Sequence, residues 1–311
     1  MRLREASHEL ALKLPGAVAA VTSRLPLPVA ESLGARTGNL LGLLPNRLRR
    51  HALANLALSF PDQPVASRAA IAREALTHAG REVGATMRWY LLGRERLPRI
   101  CENYAELAAT IRRDLEPGRG AIYAGGHFGN PQLLSALCAT VVPVTGIVNA
   151  YHGREHMGFI AAGRQRLGVR YIPRDSPPLD LLRAVQRNEL VTFLPDAHPR
   201  RKNGLWLPFF GVPACTTTFP AAMARLTGCV LRPVFLVREG RRYRAVIRES
   251  LAPPRPERGD AELERVMLEW TATLEEEVRR RPGQWVWMSR RWRTMPPGSH
   301  AVERPARVHA S

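Results

Sequence analysis

The sequence predicts an α/β protein, with a helical N-terminal region followed by an α/β sandwich built on a mostly parallel sheet. Two patterns carry this. From Pro117-Gly118 onward, short apolar runs of strand length alternate with amphipathic stretches of ten or so residues, the signature of strands joined by crossover helices. Before that point only helical spacing is found. Length agrees: 311 residues, 45% of them hydrophobic, suffice for one sizeable core or two unequal domains.

In chain order, Pro45-Asn46 reads as a helix start. Arg47, Arg49, Arg50 and His51 then alternate with Leu48, Leu53, Leu56 and Leu58 up to Phe60-Pro61. This basic amphipathic helix suits either a solvated face or contact with a bilayer interface. Ser67–Leu92 continues helical, with Ile71, Ala75, His78, Ala79 and Val83 on one face. Strands are expected at Gly120–Gly126, Val141–Val148, Val169–Ile172, Leu190–Leu194, Val230–Arg238 and Tyr243–Ile247. Helices are expected at Pro131–Thr140, Arg154–Leu167, Leu179–Arg187, Pro220–Leu226 and Ala261–Arg280. The division is a helical, membrane-proximal region over 1–115, an α/β domain over 116–295, and a disordered tail over 296–311.

The formal charge of +19 calls for an acidic partner. Lysine occurs only at Lys13 and Lys202, so the charge is nearly all arginine, which pairs bidentately with phosphate. Nucleic acid is excluded as partner: there is no zinc spacing, RNA-recognition motif or basic heptad region, and the arginines are scattered. The four cysteines, Cys101, Cys138, Cys215 and Cys229, have no metal or redox spacing and read as buried thiols. No secretory signal is evident, and no run of 18 apolar residues exists, so membrane contact is expected to be peripheral.

His127 follows the first expected strand, flanked by Gly125, Gly126 and Gly129. Ligands of α/β folds bind beyond the carboxyl ends of strands, and glycines let the backbone approach them. Pro131 fits the first turn of the next helix, whose unpaired N–H groups suit an oxyanion or phosphate. A histidine here is placed to act as general base on a hydroxyl. No G-x-S-x-G elbow is present, which argues against a serine hydrolase.

Gly126-His127-Phe128-Gly129-Asn130, Tyr171-Ile172-Pro173-Arg174-Asp175, Leu194-Pro195-Asp196 and Leu207-Pro208-Phe209-Phe210-Gly211 together resemble the late acyltransferases of lipid A biosynthesis. That family is related to phosphatidylinositol-mannoside acyltransferases. Gln284-Trp285-Val286-Trp287 with Arg290-Arg291-Trp292 resembles its C-terminal signature, and Asn55 to Pro61 its N-terminal helix ending. The resemblance covers about residues 10–295 in order. It implies a glycerolipid-acyltransferase-like sandwich at the cytoplasmic face of a bacterial inner membrane. It also implies transfer of a fatty acyl chain from acyl carrier protein or acyl-CoA to a hydroxyl of a membrane glycolipid, without cofactor or metal.

By the same resemblance, His127, Gln132, Arg164 and Asp196 are the catalytic positions. Gly129, Asn130, Arg174, Phe209, Phe210 and Gly211 are those facing substrate, and Arg200 and Arg201 are added to them from the basic cluster beside the site. The family pattern has an acid after four intervening residues, orienting the imidazole; Gln132 stands there, and Pro131 replaces a tryptophan. Ala197-His198 also depart from the pattern after Asp196. A glutamine can fix the tautomer but cannot stabilise an imidazolium by charge. Three readings stay open: a slow or retuned enzyme, an acid supplied from elsewhere in the fold, or a catalytically degenerate lipid-binding or assembly protein. Arg200-Arg201-Lys202 reads as a solvated face or as a site for a glycolipid phosphate or the acidic carrier protein. Trp285, Trp287 and Trp292 suit a bilayer interface or core packing.

Overall fold

The computed structural model describes residues 21–148, 157–173, 176, 178–199, 204–294 and 296. The expected tail, apart from position 296, lies outside these residues, as does the start of the helix expected from Arg154. Three helices come first: α1 (Leu27–Leu43), α2 (Arg47–Ser59) and α3 (Val65–Leu92). Helices α1 and α3 cross where glycines remove the side chains. A Cβ on Gly34 would sit 2.1 Å from the carbonyl oxygen of Gly80, and one on Gly84 2.2 Å from that of Ala30. The expected basic helix is α2, and Asn46 caps it by accepting from the Arg49 N–H at 3.0 Å. Its Ala52 and Leu56 are buried, and Asn55 donates to the carbonyls of Trp287 and Ser289 at 2.6 and 2.7 Å, so this face is packed. On α3, Ala75 and His78 are buried as expected, but Val83 is exposed, because Glu82 and Thr86 take the inward face.

After α4 (Tyr104–Leu115), strands and helices alternate: β1 (Ala121–Ala124), α5 (Pro131–Cys138), β2 (Val144–Val148), α6 (Met157–Arg166), β3 (Val169–Pro173), α7 (Pro178–Gln186) and β4 (Leu190–Phe193). A hairpin follows, β5 (Gly204–Phe209) and β6 (Val212–Thr217). Then come α8 (Phe219–Thr227), β7 (Val230–Glu239), β8 (Arg242–Ile247) and α9 (Ala261–Arg280). The six-stranded sheet has the order β3-β2-β4-β1-β7-β8, parallel except for β8 on the edge. All four β1 residues are buried, as a central parallel strand requires. From α9 the Trp270 indole donates to the Ala124 carbonyl at 3.1 Å across this layer.

The expected elements recur with ends shifted by a few residues. The exception is the β5–β6 hairpin, where no strand is expected from the sequence. Its turn at Phe210-Gly211 has positive φ at both residues (54° and 73°), the geometry that matches the twist of a two-residue hairpin.

A buried ionic cluster joins the helical region to the sheet. Arg238 on β7 donates to Glu82 at 2.5 Å, to Glu31 at 2.8 Å and to the Tyr243 hydroxyl at 2.5 Å. Tyr243 in turn donates to Glu82 at 2.6 Å. Burial acts to raise the Glu82 pKa, but the Arg238 charge and its other partners outweigh it and hold the carboxyl below its ordinary value. The four cysteines are free and buried, matching expectation.

Candidate active site

Strands β1 and β4 are parallel neighbours, with Ala124 opposite Phe193. His127 and Asp196 each follow three residues later, so both chains leave the sheet at the same end carrying their functional side chains. The carboxylate holds the histidine twice. Asp196 Oδ1 lies 2.8 Å from His127 Nδ1, and Oδ2 accepts from the His127 main-chain N–H at 2.8 Å. The Trp285 indole N–H donates to the same Oδ2 at 3.1 Å. The Asp196 side chain is 2% exposed and that of His127 39%, so a buried acid backs an accessible imidazole. Gly126 leaves room here: a Cβ on it would fall 2.9 Å from the Leu274 side chain, which would have to shift, and 3.5 Å from Asp196 Oδ2.

Burial works to raise the Asp196 pKa. The His127 ring, both hydrogen bonds from His127 and the Arg291 charge together outweigh it, and the group is held below the ordinary carboxylate value. Arg291 is itself buried, and burial pushes it down to about 10, so it stays charged at neutral pH. It donates to the Cys215 carbonyl at 2.6 Å and the Thr216 hydroxyl at 2.5 Å.

The backbone around His127 is fastened on both sides. Val286 N–H donates to the His127 carbonyl at 3.0 Å, and Gly129 N–H to the Gln284 carbonyl at 2.9 Å. Gly129 has φ 63°, and a Cβ on it would overlap the Leu236 carbonyl oxygen at 1.9 Å, so only glycine fits. Its place is that of a hinge-tight packing residue. Asn130, expected to face substrate, is 3% exposed. Its Oδ1 caps α5 at the Leu133 N–H, and its Nδ2 donates to Glu82 at 2.7 Å and Thr86 at 3.1 Å. The structure gives it the task of holding the loop to α3.

Gln132 does not touch the imidazole through a hydrogen bond. Its only hydrogen bond among the described residues is at Oε1, which accepts from the Tyr90 hydroxyl at 2.7 Å. Arg164 lies in the same neighbourhood, 4.9 Å over the Tyr171 ring and against Tyr90, with a buried Nε that has no hydrogen-bond partner among the described residues. The two positions expected to join His127 thus form a cluster with two tyrosines, while Asp196 makes the carboxylate contact.

Phe209 and Phe210 are buried in an aromatic group rather than lining an open surface. Phe209 stacks on Trp292 with centroids 5.7 Å apart and meets Trp285 edge-on at 5.4 Å; Phe210 meets Trp287 at 5.7 Å. Trp285 and Trp287 are fully buried, which decides for core packing over a bilayer interface. Gly211 is exposed at the hairpin turn. Arg174, Asp175, Arg200, Arg201 and Lys202 lie outside the described residues. His198 is bound to Thr294 through Nε2 at 2.8 Å. No group of three metal-binding side chains exists among the described residues. Tyr90, Trp285 and Arg291 were not singled out from the sequence as site residues. The register of β1 against β4 is the signal that pairs Asp196 with His127.

A buried carboxylate behind an accessible imidazole at the carboxyl end of a parallel sheet is an arrangement suited to general-base chemistry. Residues 10–294 match the model of the bacterial lipid A biosynthesis acyltransferase family, and the chain belongs to it. The protein is therefore an acyltransferase. It is 25% identical over 285 residues to the lipid A biosynthesis palmitoleoyltransferase of Escherichia coli (strain K12), covering 90% of each chain. The lauroyltransferase of that organism is 25% identical over 282 residues, covering 88% of this chain and 89% of its own. The myristoyltransferase is 24% identical over 277 residues, covering 88% and 84%.

Proposed function

We propose that this enzyme transfers a fatty acyl chain from a thioester donor, acyl carrier protein or acyl-CoA, to a hydroxyl of lipid A or a related precursor. The observation that carries the mechanism is the double grip of Asp196 on His127. With Nδ1 turned to the carboxylate, Nε2 takes the proton of the acceptor hydroxyl as its oxygen attacks the thioester carbonyl. Asp196 stays ionised and stabilises the imidazolium by charge, the role of the acid in a catalytic triad. The tetrahedral oxyanion is held by backbone N–H groups or by Arg164. Collapse of the intermediate expels the thiolate, which takes the proton back from His127. The acid thus comes from elsewhere in the fold, and Gln132 gives no reason to read the protein as degenerate.

Membrane contact is supported by the apolar side chains that α1 and α2 leave uncovered. Leu33, Leu40, Leu43, Leu44 and Leu48 are exposed near Arg36, Arg47 and Arg50. No helix among the described residues is long and apolar enough to cross a membrane. Leucines among arginines suit peripheral contact with an anionic bilayer, with 1–115 as the membrane-proximal part. The test is transfer of a labelled acyl chain from each donor to purified lipid A precursor in mixed micelles. Transfer from one donor that vanishes in His127→Ala is expected; undiminished transfer in that variant overturns the mechanism, and no transfer from either donor overturns the substrate reading.

A further inference from the structure

We propose that the cleft between α3 and the β7–β8 turn is a second binding site, separate from His127, for the phosphodiester of a glycerolipid head group. The cleft encloses about 490 Å³ and is lined by Arg73, Thr77, His78, Arg81, Arg238 and Gln284 among others. That volume is in the range of small-molecule sites. Four of these residues fall on one face of α3, while Arg238 closes the end of β7 and Gln284 the short 3-10 turn before Trp285.

The lining divides into a fixed floor and unfilled donors. Arg238 is buried and saturated by Glu82, Glu31 and Tyr243, so it shapes the floor without needing a ligand. His78 is 8% exposed, and its Nε2 is buried without a hydrogen-bond partner among the described residues. Arg81 makes no hydrogen bond or ion pair among the described residues. Arg73 uses only Nε, donating to Asn39 at 2.6 Å, and both its terminal nitrogens are unfilled among the described residues. Two guanidinium groups on one helix face, with unspent donors, suit an oxyanion, and the two non-bridging oxygens of a phosphodiester offer them acceptors.

Charge and surroundings narrow the class. Against Arg73 and Arg81 stands one exposed carboxylate on the rim, Glu74, likewise without an ion pair among the described residues. Arg238 is outnumbered on the floor by Glu82 and Glu31, so the charges around the cleft balance, and an anion is drawn by the unspent donors of Arg73 and Arg81 and not by a net excess. Asn39, which accepts from Arg73, is followed on α1 by the exposed Leu40 and Leu43, where the apolar part of a lipid could lie. The cleft also borders the catalytic loop, since the Gly129 backbone lies against the His78 ring and Gln284 holds the Gly129 N–H.

Binding is read on the full chain without turnover, so it stands or falls apart from acyl transfer. The probes are soluble glycerophosphoglycerol, followed by calorimetry, and phosphatidylcholine vesicles with and without phosphatidylglycerol, followed by co-sedimentation. The variants are Arg81→Gln, the charge-neutral Ala70→Trp, which crowds the cleft, and Arg112→Gln on α4 as a control for net charge. A tenfold or greater weakening in Arg81→Gln and Ala70→Trp, with Arg112→Gln unchanged, is expected. If it is seen with both probes, the diester alone suffices; if only with vesicles, the bilayer head group is the ligand. Equal behaviour of Arg81→Gln and Arg112→Gln toward both probes, whether by equal loss or by absence of binding, overturns the site.

Discussion

Asp196 Oδ2 accepts from the main chain of His127 while Oδ1 meets its ring, so one carboxylate fixes both the backbone and the tautomer of the same residue. Replacing it therefore removes two functions. Asp196→Asn should lower kcat by about 10⁴, the cost of losing the orienting acid in a hydrolase triad. KM for the acceptor should change little, because Asp196 is buried away from substrate. Steady-state kinetics on a variant with unaltered circular dichroism decides it; a loss in KM alone would remove Asp196 from the mechanism.

Gln132 and Tyr90 should behave as one unit. Their hydrogen bond is worth about 1 kcal/mol by the usual net value. Gln132→Ala and Tyr90→Phe should each lower unfolding free energy by that order and reduce transfer less than tenfold, with no added loss in the double variant. A loss in Gln132→Ala as deep as that in Asp196→Asn would restore the glutamine to a direct role on His127.

The Arg238 cluster predicts a larger stability effect far from the chemistry. Arg238→Met leaves Glu82 and Glu31 buried or half-buried without their cation, and removing one partner of a buried pair costs about 3–5 kcal/mol. Urea unfolding measures this. Glu82 also holds Asn130, so transfer should fall as well, and His127→Ala combined with Arg238→Met should show the stability loss undiminished.

Acid should destabilise the fold through Asp196 and Glu82, both held below their ordinary values. For carboxyls depressed in the native state, the contribution is whole above the unfolded value of about 4 and is lost as pH falls from there through the native one. The stability gap between wild type and Asp196→Asn should thus be at its full width above about pH 5 and narrow steadily below pH 4, read from urea midpoints across the series. A gap independent of pH would show that Asp196 is not ionised in the fold.

Much of this architecture is legible in the sequence because local patterns encode it. The apolar runs at Ala121 and Leu190 mark their strands, and Asn46 and Pro131 mark helix starts. Local patterns fail where distance along the chain decides. Glu82 and Arg238 are 156 residues apart, and nothing near either announces the other. Pro208 and Pro213 disguised β5 and β6 as loop, although they face each other across the hairpin. Trp285 and Trp287 could be placed in the core only once the hairpin that covers them was known. His127 stood out through its glycines, whereas its partner depended on which strand lies beside β1.

That neighbour relation has a wider consequence. The acid and base are spaced by the lattice of the sheet, about 4.8 Å from strand to strand, and not by the sequence between them. The stretch between α5 and β4, residues 139–189, is thereby released from keeping the pair aligned. Segments within it can be rebuilt for a longer chain or a different sugar while the proton-transfer geometry stays as it is. A scaffold of this kind lets specificity drift without retuning the base.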